Sequence, residues 1–390
     1  MSSKIIRNYL PELLAQGFLR SKPSMVTVNL TNKCNQYCIY CEIGNGIELS
    51  GGKLLTTDDL HWIIDQMAIN KIRKISLCGG EPFLFKDLIE IVAYAGTRRV
   101  WCSITTNGMT AHQLSESDLT TLKECKSEIN ISIDSFQESI QSHTRGTPAA
   151  LPNALKSIQK LSEKEIPVTL LTAVSKFNYH NLYNFFTVAY EMGVQQVLFQ
   201  PIIYHSNYPE RPAIDNKSQL NVSIDELDKL MSELKKILRF ERSHLISTNV
   251  YRLLPWIHYY LMNIASQNGN WFFHDVLKKF YCRDLYAIID ISYYGGIQPC
   301  GLANANITIH ENRHLGLLKL WSEATSGIRN DLRNDRYHVY CNSCCHHFSR
   351  NMLASIMKYP LQNRDLLIKM AYLLGLRIYS KIWKRLFKRN

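Results

Sequence analysis

The sequence has no stretch of about 18 uninterrupted apolar residues, so no membrane-spanning helix is expected. Its opening residues, MSSKIIRNYLPELLAQGF, are broken early by Ser, Lys and Arg and lack the apolar centre of a secretory signal. Low-complexity segments are absent, and an apolar content of 46% is that of an ordinary globular chain. A strong nucleic-acid signature is missing too. Of the net charge of +12, the stretch from Arg364 to Asn390 carries +7, which leaves about +5 for the rest. These absences point to a cytoplasmic protein with no nucleic-acid partner. In that compartment thiols stay reduced, so the eleven cysteines are not expected to form a disulfide set. They are also grouped, with Cys34, Cys38 and Cys41 in one cluster and Cys341, Cys344 and Cys345 in another, and clustered thiols read as metal ligands.

What is present is an alternation of short β-rich runs and amphipathic helical stretches. MVTVNL, KISLCGG, VWCSITTNG, INISIDS, VTLLTAV and QVLFQPI are the strands. Segments such as TTDDLHWIIDQMAIN carry apolar residues at helical spacing behind a Thr/Asp start. Six β-then-α units imply a parallel sheet with right-handed crossovers, hence α/β architecture with a partial (β/α)6 TIM-like barrel. The working residues of such a barrel sit on loops after the strand C-termini. The reading divides the chain into a lead-in helix over 1–23, the barrel over 24–220, a helical connector over 221–280, a cysteine-bearing domain over 281–350 and a basic helical tail over 351–390. Within the connector, Ser223 and Glu226 have capping-box spacing. Later, YAIIDISYYGGIQPCG reads as a hairpin turning at Gly295-Gly296.

Cys34, Cys38 and Cys41 follow the first strand at spacings that let three thiolates take three corners of a 4Fe–4S cube, leaving one iron without a protein ligand. A zinc site is the alternative, although structural zinc sites are usually closed by a fourth Cys or His, and neither occurs in this loop. CNQYCIYC resembles the signature of the radical S-adenosylmethionine (SAM) superfamily, including the aromatic Tyr40 before the last cysteine. Gly79-Gly80-Glu81-Pro82, ending the second strand, is similar to the GGEP motif of that family. The resemblance implies that the three cysteines hold the cluster that cleaves SAM reductively, and that the GGEP backbone and Glu81 hold the SAM amine. It also implies SAM or cluster contacts for Tyr40, for Asn107 within Thr106-Asn107-Gly108, for Ser132 and Asp134 of the fourth strand, and for Arg145 beside Gly146. Ser132 and Arg145 would grip the SAM carboxylate, a task suited to a guanidinium fork. Gln200, in a Gln-Pro pair ending the sixth strand, would lie near adenosine or substrate. For Ser132 and Arg145 the alternative is a local cap or a surface ion pair.

After the barrel, Cys282 and Cys300 are expected at the two ends of the hairpin, so the pair can share a site with Cys341 and Cys344. With Leu320-Trp321 and Arg333, this set resembles the SPASM/Twitch extension of radical SAM enzymes. That resemblance implies one auxiliary 4Fe–4S cluster fully ligated by protein and used for electron transfer; zinc bound by four cysteines is the alternative. Cys345, His346 and His347 are left without a role, and Cys78, Cys102 and Cys125 read as core residues. The tail places Leu367, Met370, Leu374, Ile378, Ile382 and Leu386 on one helical stripe flanked by Lys and Arg. It is either a membrane-surface helix at the inner face or a helix docked on the barrel.

The cofactors implied are therefore SAM and two 4Fe–4S clusters, with flavodoxin or ferredoxin as the electron donor. The expected reaction is hydrogen-atom abstraction by the 5′-deoxyadenosyl radical. Little sequence precedes the first strand, which speaks against a leader-binding domain, and the cysteine spacing is similar to that of Twitch-type oxidation of an aminocyclitol alcohol. The expected substrate is thus a small carbohydrate, polyol or glycolipid, oxidised or epimerised. The alternatives are a ribosomal peptide, or a non-catalytic iron–sulfur or zinc scaffold.

Overall fold

A computed structural model describes residues 22–45, 52–202, 220–254, 256–259, 261, 279–300, 307–337, 341, 351, 354–356 and 358–366. The expected lead-in helix, the loop after the sixth strand, Cys344 to His347 and the basic stripe of the tail lie outside these residues.

All six expected strands form: β1 (Met25–Asn29), β2 (Lys74–Cys78), β3 (Trp101–Thr106), β4 (Glu128–Ser132), β5 (Val168–Val174) and β6 (Gln196–Pro201). They pair in sequence order, all parallel. The helices between them begin where the sequence marks them. α1 (Thr57–Ile69) opens on a complete capping box, with the Thr56 side chain and Asp59 satisfying each other's backbone N–H groups. Its Leu60, Ile63, Ile64 and Met67 are fully buried, and each such side chain contributes roughly 1.5–3 kcal/mol. They pack in one core with Val26 and Val28 of β1, Ile75 and Leu77 of β2, Ile104 of β3, and Ile129 and Ile131 of β4. The alternate positions are polar and half-buried: Thr27, Asn29, Ser76, Thr105, Asn130 and Ser132. Parallel strands usually carry apolar side chains on both faces. Here the face turned away from the helices is polar instead.

The sheet continues past residue 220 at both edges, which the sequence reading did not anticipate. Its order is β10-β9-β8-β1-β2-β3-β4-β5-β6-β7. β7 (Ser247–Thr248) joins β6, and β8 (Ile288–Ile291) lies parallel to β1 with Met25 opposite Ile288. The expected hairpin is present as β8 and β9 (Gly296–Gln298), antiparallel with Asp290 opposite Gln298, and Gly295 takes the positive φ of 75° at the turn. β10 (Ile307–Thr308) pairs with β9. A long helix over Leu317–Arg333 covers this added edge, and its buried Trp321 donates from Nε1 to the Ile288 carbonyl at 2.8 Å. Leu320 and Trp321 therefore belong to the packing of β8. Ser223 and Glu226 form the expected capping box ahead of the helix Leu227–Glu241. Among the described residues no helix is long and apolar enough to cross a membrane.

Candidate active site

The cysteine loop leaves β1 at the C-terminal edge of the sheet and is stitched to its neighbours through the main chain. On one side Gly80 N donates to Thr31 O at 2.7 Å and Glu81 N to Lys33 O at 2.8 Å. On the other, Tyr37 N donates to Arg145 O at 3.2 Å and Ile39 N to Thr144 O at 3.1 Å. Glycine is required at both seams. A Cβ on Gly80 would lie 2.1 Å from Lys33 O, and one on Gly146, whose φ is 62°, would lie 2.1 Å from Tyr37 O. The GGEP glycine thus lets the cysteine loop approach the strand end.

Within the loop Cys38 is buried while Cys34 and Cys41 are partly accessible, and Cys41 N donates to Cys38 O at 3.0 Å. Burial raises the Cys34 thiol, and it pushes the Cys38 thiol up to about 11 against the opposing pull of the Arg145 charge. Three cysteines held on one short loop are a donor set that fits a cubane cluster, whose cysteines each take a separate corner. Among the described residues no group of three or more His, Cys, Asp or Glu side chains gathers around one point as a single ion would need.

Glu81 is fully buried, and its carboxylate is engaged within the protein. It accepts from Thr106 Oγ1 at 2.7 Å, Asn107 N at 2.8 Å and Phe83 N at 3.1 Å. Burial raises its pKa, and these three donors oppose the rise. Its side chain therefore fixes the β3 loop. Asn107, held in this way, extends its amide to Asn35 Oδ1 at 2.7 Å and to Cys34 Sγ at 3.8 Å. Its contacts run to the cysteine loop.

Tyr40, Asp134 and Arg145 are brought together. Asp134 accepts from the Tyr40 hydroxyl at 2.5 Å, from Arg145 at 2.7 Å and from Ala173 N at 3.0 Å. Burial opposes the Arg145 charge, but Asp134 beside it holds the guanidinium protonated above its ordinary range. Burial likewise raises the Tyr40 phenol well above its usual value. Arg145 is 7% exposed and its Nε has no partner, so the surface ion-pair alternative is excluded and one donor remains uncommitted. Ser132 lies at the end of β4, half-buried, while Gln200 near the end of β6 is exposed. Three supporting residues were missed: Thr106 on Glu81, Gln141 accepting from Asp134 N at 2.8 Å, and Asn178 donating to Asp134 O at 2.9 Å. Only Thr106 carried a signal, as a neighbour of Asn107.

The second cysteine set also converges in part. Cys282, Cys300 and Cys341 flank one apolar cluster with Trp256, Phe280 and Leu285. Burial drives the Cys282 thiol well above its ordinary range, and Asp284, Cys341 and Cys300 reinforce this. Cys282 does not open a strand, as the hairpin reading had it: a turn of helix over Asp284–Ala287 intervenes before β8, and Cys300 lies two residues past β9. The buried Asn351 anchors this turn, accepting from Arg283 N at 2.9 Å and donating to Asp284 at 3.0 Å and to Cys282 Sγ at 3.6 Å. Of the cysteines read as core, Cys102 is 2% exposed within it, and Cys125 packs against it. Cys78 differs, since its thiol donates to Asn29 Oδ1 at 3.3 Å and senses the Asp290 charge from β8.

Residues 28–187, less than half the chain, match the model of the Radical SAM superfamily. SAM and a 4Fe–4S cluster are the cofactors of that superfamily. The chain is similar to the Fe-coproporphyrin III synthase of Methanosarcina barkeri, 28% identical over 200 residues, covering 50% of this chain and 48% of that protein. It is also similar to the PqqA peptide cyclase of Bradyrhizobium diazoefficiens, 24% identical with 56% of each chain covered. The chain spans about half the length of these curated relatives. Among solved structures, Streptococcus suis SuiB bound to S-adenosylmethionine aligns with a TM-score of 0.59 and 16% identity over 87% of this chain and 76% of that one. anSMEcpe with bound AdoMet and the Cp18Cys peptide aligns with a TM-score of 0.59 and 15% identity, over 92% and 98%. At these identities the structural likeness shows the fold.

Proposed function

We propose that the chain is a radical SAM enzyme whose substrate is a peptide. The observation that carries the enzyme reading is the cysteine loop itself, stitched by backbone bonds to Gly80-Glu81 on one side and Thr144-Arg145 on the other. A scaffold that merely binds metal has no use for a buried Arg145 with an uncommitted donor beside the loop. The peptide reading rests on the relatives. One of them is a PqqA peptide cyclase, and both structural neighbours have forms solved with peptides: SuiB with its precursor SuiA, and anSMEcpe with Cp18Cys. The carbohydrate, polyol or glycolipid expected from cysteine spacing finds no support among these proteins, nor does epimerisation.

Cys34, Cys38 and Cys41 would hold the cluster. With SAM bound, such a centre would supply one-electron reductive cleavage and so the hydrogen-abstracting chemistry. Arg145 and Ser132 orient the carboxylate of SAM, and the buried Asp134 keeps the guanidinium in place. The polar face of β1–β4 lies open beside them and presents hydroxyls and amides, with Asn130 tied to Ser103 at 2.9 Å. Such a face suits a peptide backbone, which needs donors and acceptors along its length. Cys282, Cys300, Cys341 and Cys344 would hold an auxiliary cluster that takes the electron left on the substrate. A flavodoxin or ferredoxin would supply the catalytic centre.

The test is anaerobic reconstitution with iron, sulfide, SAM and dithionite, followed by assays on peptide and on amino-sugar substrates. A peptide that loses two hydrogens in step with 5′-deoxyadenosine formation supports the reading. Coupled oxidation of an amino sugar, with every peptide left inert, would reverse it.

A further inference from the structure

Gln36 lies between two ligands of the cysteine triad and touches both. Its backbone N–H bonds the Cys34 sulfur. Its side chain reaches Cys38, whose thiol donates to Gln36 Oε1 across 3.7 Å. The residue is 1% exposed, and the other end of its carboxamide, Nε2, is buried with no partner. A buried amide N–H₂ without an acceptor costs about 1–3 kcal/mol, so it calls for an explanation.

Chemistry at Cys38 supplies one. When iron binds this sulfur, the S–H bond breaks, the proton leaves to solvent, and the sulfur becomes a negatively charged acceptor. A carbonyl oxygen facing that sulfur is then repelled. The two ends of a carboxamide have nearly the same shape, so a half-turn about the last side-chain bond exchanges them without disturbing the packing. We propose that Gln36 is a positioning residue of the catalytic cluster, whose amide turns on metal binding to donate Nε2–H to Cys38 and so favours the reduced state. The inference rests on the radical SAM reading of the loop. It adds that the reduction potential is set in part by a side chain within the CNQYC turn, since hydrogen bonds to cluster sulfurs raise that potential.

The experiment is an anaerobic redox titration of the full chain, following the paramagnetic resonance signal that changes on adding SAM, in wild type, Gln36→Met and Gln36→Glu. Methionine keeps the length and loses the donor, while glutamate keeps the shape and adds an acceptor. Both variants should bind the wild-type amount of iron. Reduction should become about tenfold less favourable in Gln36→Met, about 59 mV more negative for one electron, and the shift should be larger in Gln36→Glu. Normal iron content with wild-type potentials in both variants would overturn the inference while leaving the cluster reading intact. A wild-type chain with no SAM-responsive cluster would overturn that reading and the inference with it. Should neither variant fold, wild-type protein carrying heavy nitrogen only in glutamine side chains decides the matter. A hyperfine coupling from that nitrogen to the reduced cluster supports the turned amide, and its absence refutes it.

Discussion

The two cysteine sites are built differently, although each has an asparagine amide on its first sulfur. At the barrel mouth Asn107 reaches Cys34 at 3.8 Å, and beyond the barrel Asn351 reaches Cys282 at 3.6 Å. The first site is a single loop of consecutive turns, clamped by backbone bonds to β2 on one side and to Arg145 on the other. The loop is flanked by Glu81 on one side and by Asp134 and Arg145, which meet its Tyr40, on the other. The second draws Cys282, Cys300 and Cys341 from three separate stretches around an apolar cluster. The first set sits among charged and polar side chains on one loop, and the second lies mainly against aromatic and aliphatic ones.

Five changes break or sharpen that contrast. The largest effect is expected from replacing Cys34, Cys38 and Cys41 together by Ala: formation of 5′-deoxyadenosine falls to background and about four irons per chain are lost, those of one cube. Iron analysis and chromatography of the nucleoside check this, and the second site should stay filled. Cys282→Ala comes next. Cleavage of SAM should persist within a few-fold, whereas oxidised product disappears; parallel loss of both would mean that the sites are not separable.

Stability separates the regions further. Asp134→Ala strands the buried Arg145 charge and should cost about 3–5 kcal/mol, read from urea unfolding of iron-free protein. Asn351→Ala leaves the Arg283 N–H unmet and should cost about 1–3 kcal/mol, with protection from hydrogen exchange lost around Asp284–Ala287 and retained in β1–β4. The smallest change in composition, Gly80→Ala, drives a methyl group onto Lys33 O. Slower iron uptake at the first site, with the second unaffected, is the expected outcome, and equal uptake rates would show that the seam can relax.

Much of this was legible in sequence because it is local. The six strands, the Thr56 and Ser223 capping boxes, the β8–β9 hairpin and the spacing of the first triad all depend on residues near one another along the chain. The pairing of β8 with β1 was not legible, since Met25 meets Ile288 across the whole barrel and no periodicity encodes which free edge a hairpin will choose. Nor could motif likeness reveal what a motif residue touches. Glu81 reads as a ligand-holding carboxylate, and its bonds from Thr106, Asn107 and Phe83 could not be read from the motif. Asn351 carried no signal, because a lone Asn in a helical stretch is the same letter whether it faces solvent or a sulfur.

The central claim is that this loop holds a cluster that cleaves SAM. It is tested most directly by counting 5′-deoxyadenosine formed by the anaerobically reconstituted full chain given SAM and dithionite. The account predicts reductant-dependent formation that disappears in the chain lacking Cys34, Cys38 and Cys41. Formation equal in that variant and in wild type, or none from wild-type protein carrying its full iron, would contradict it.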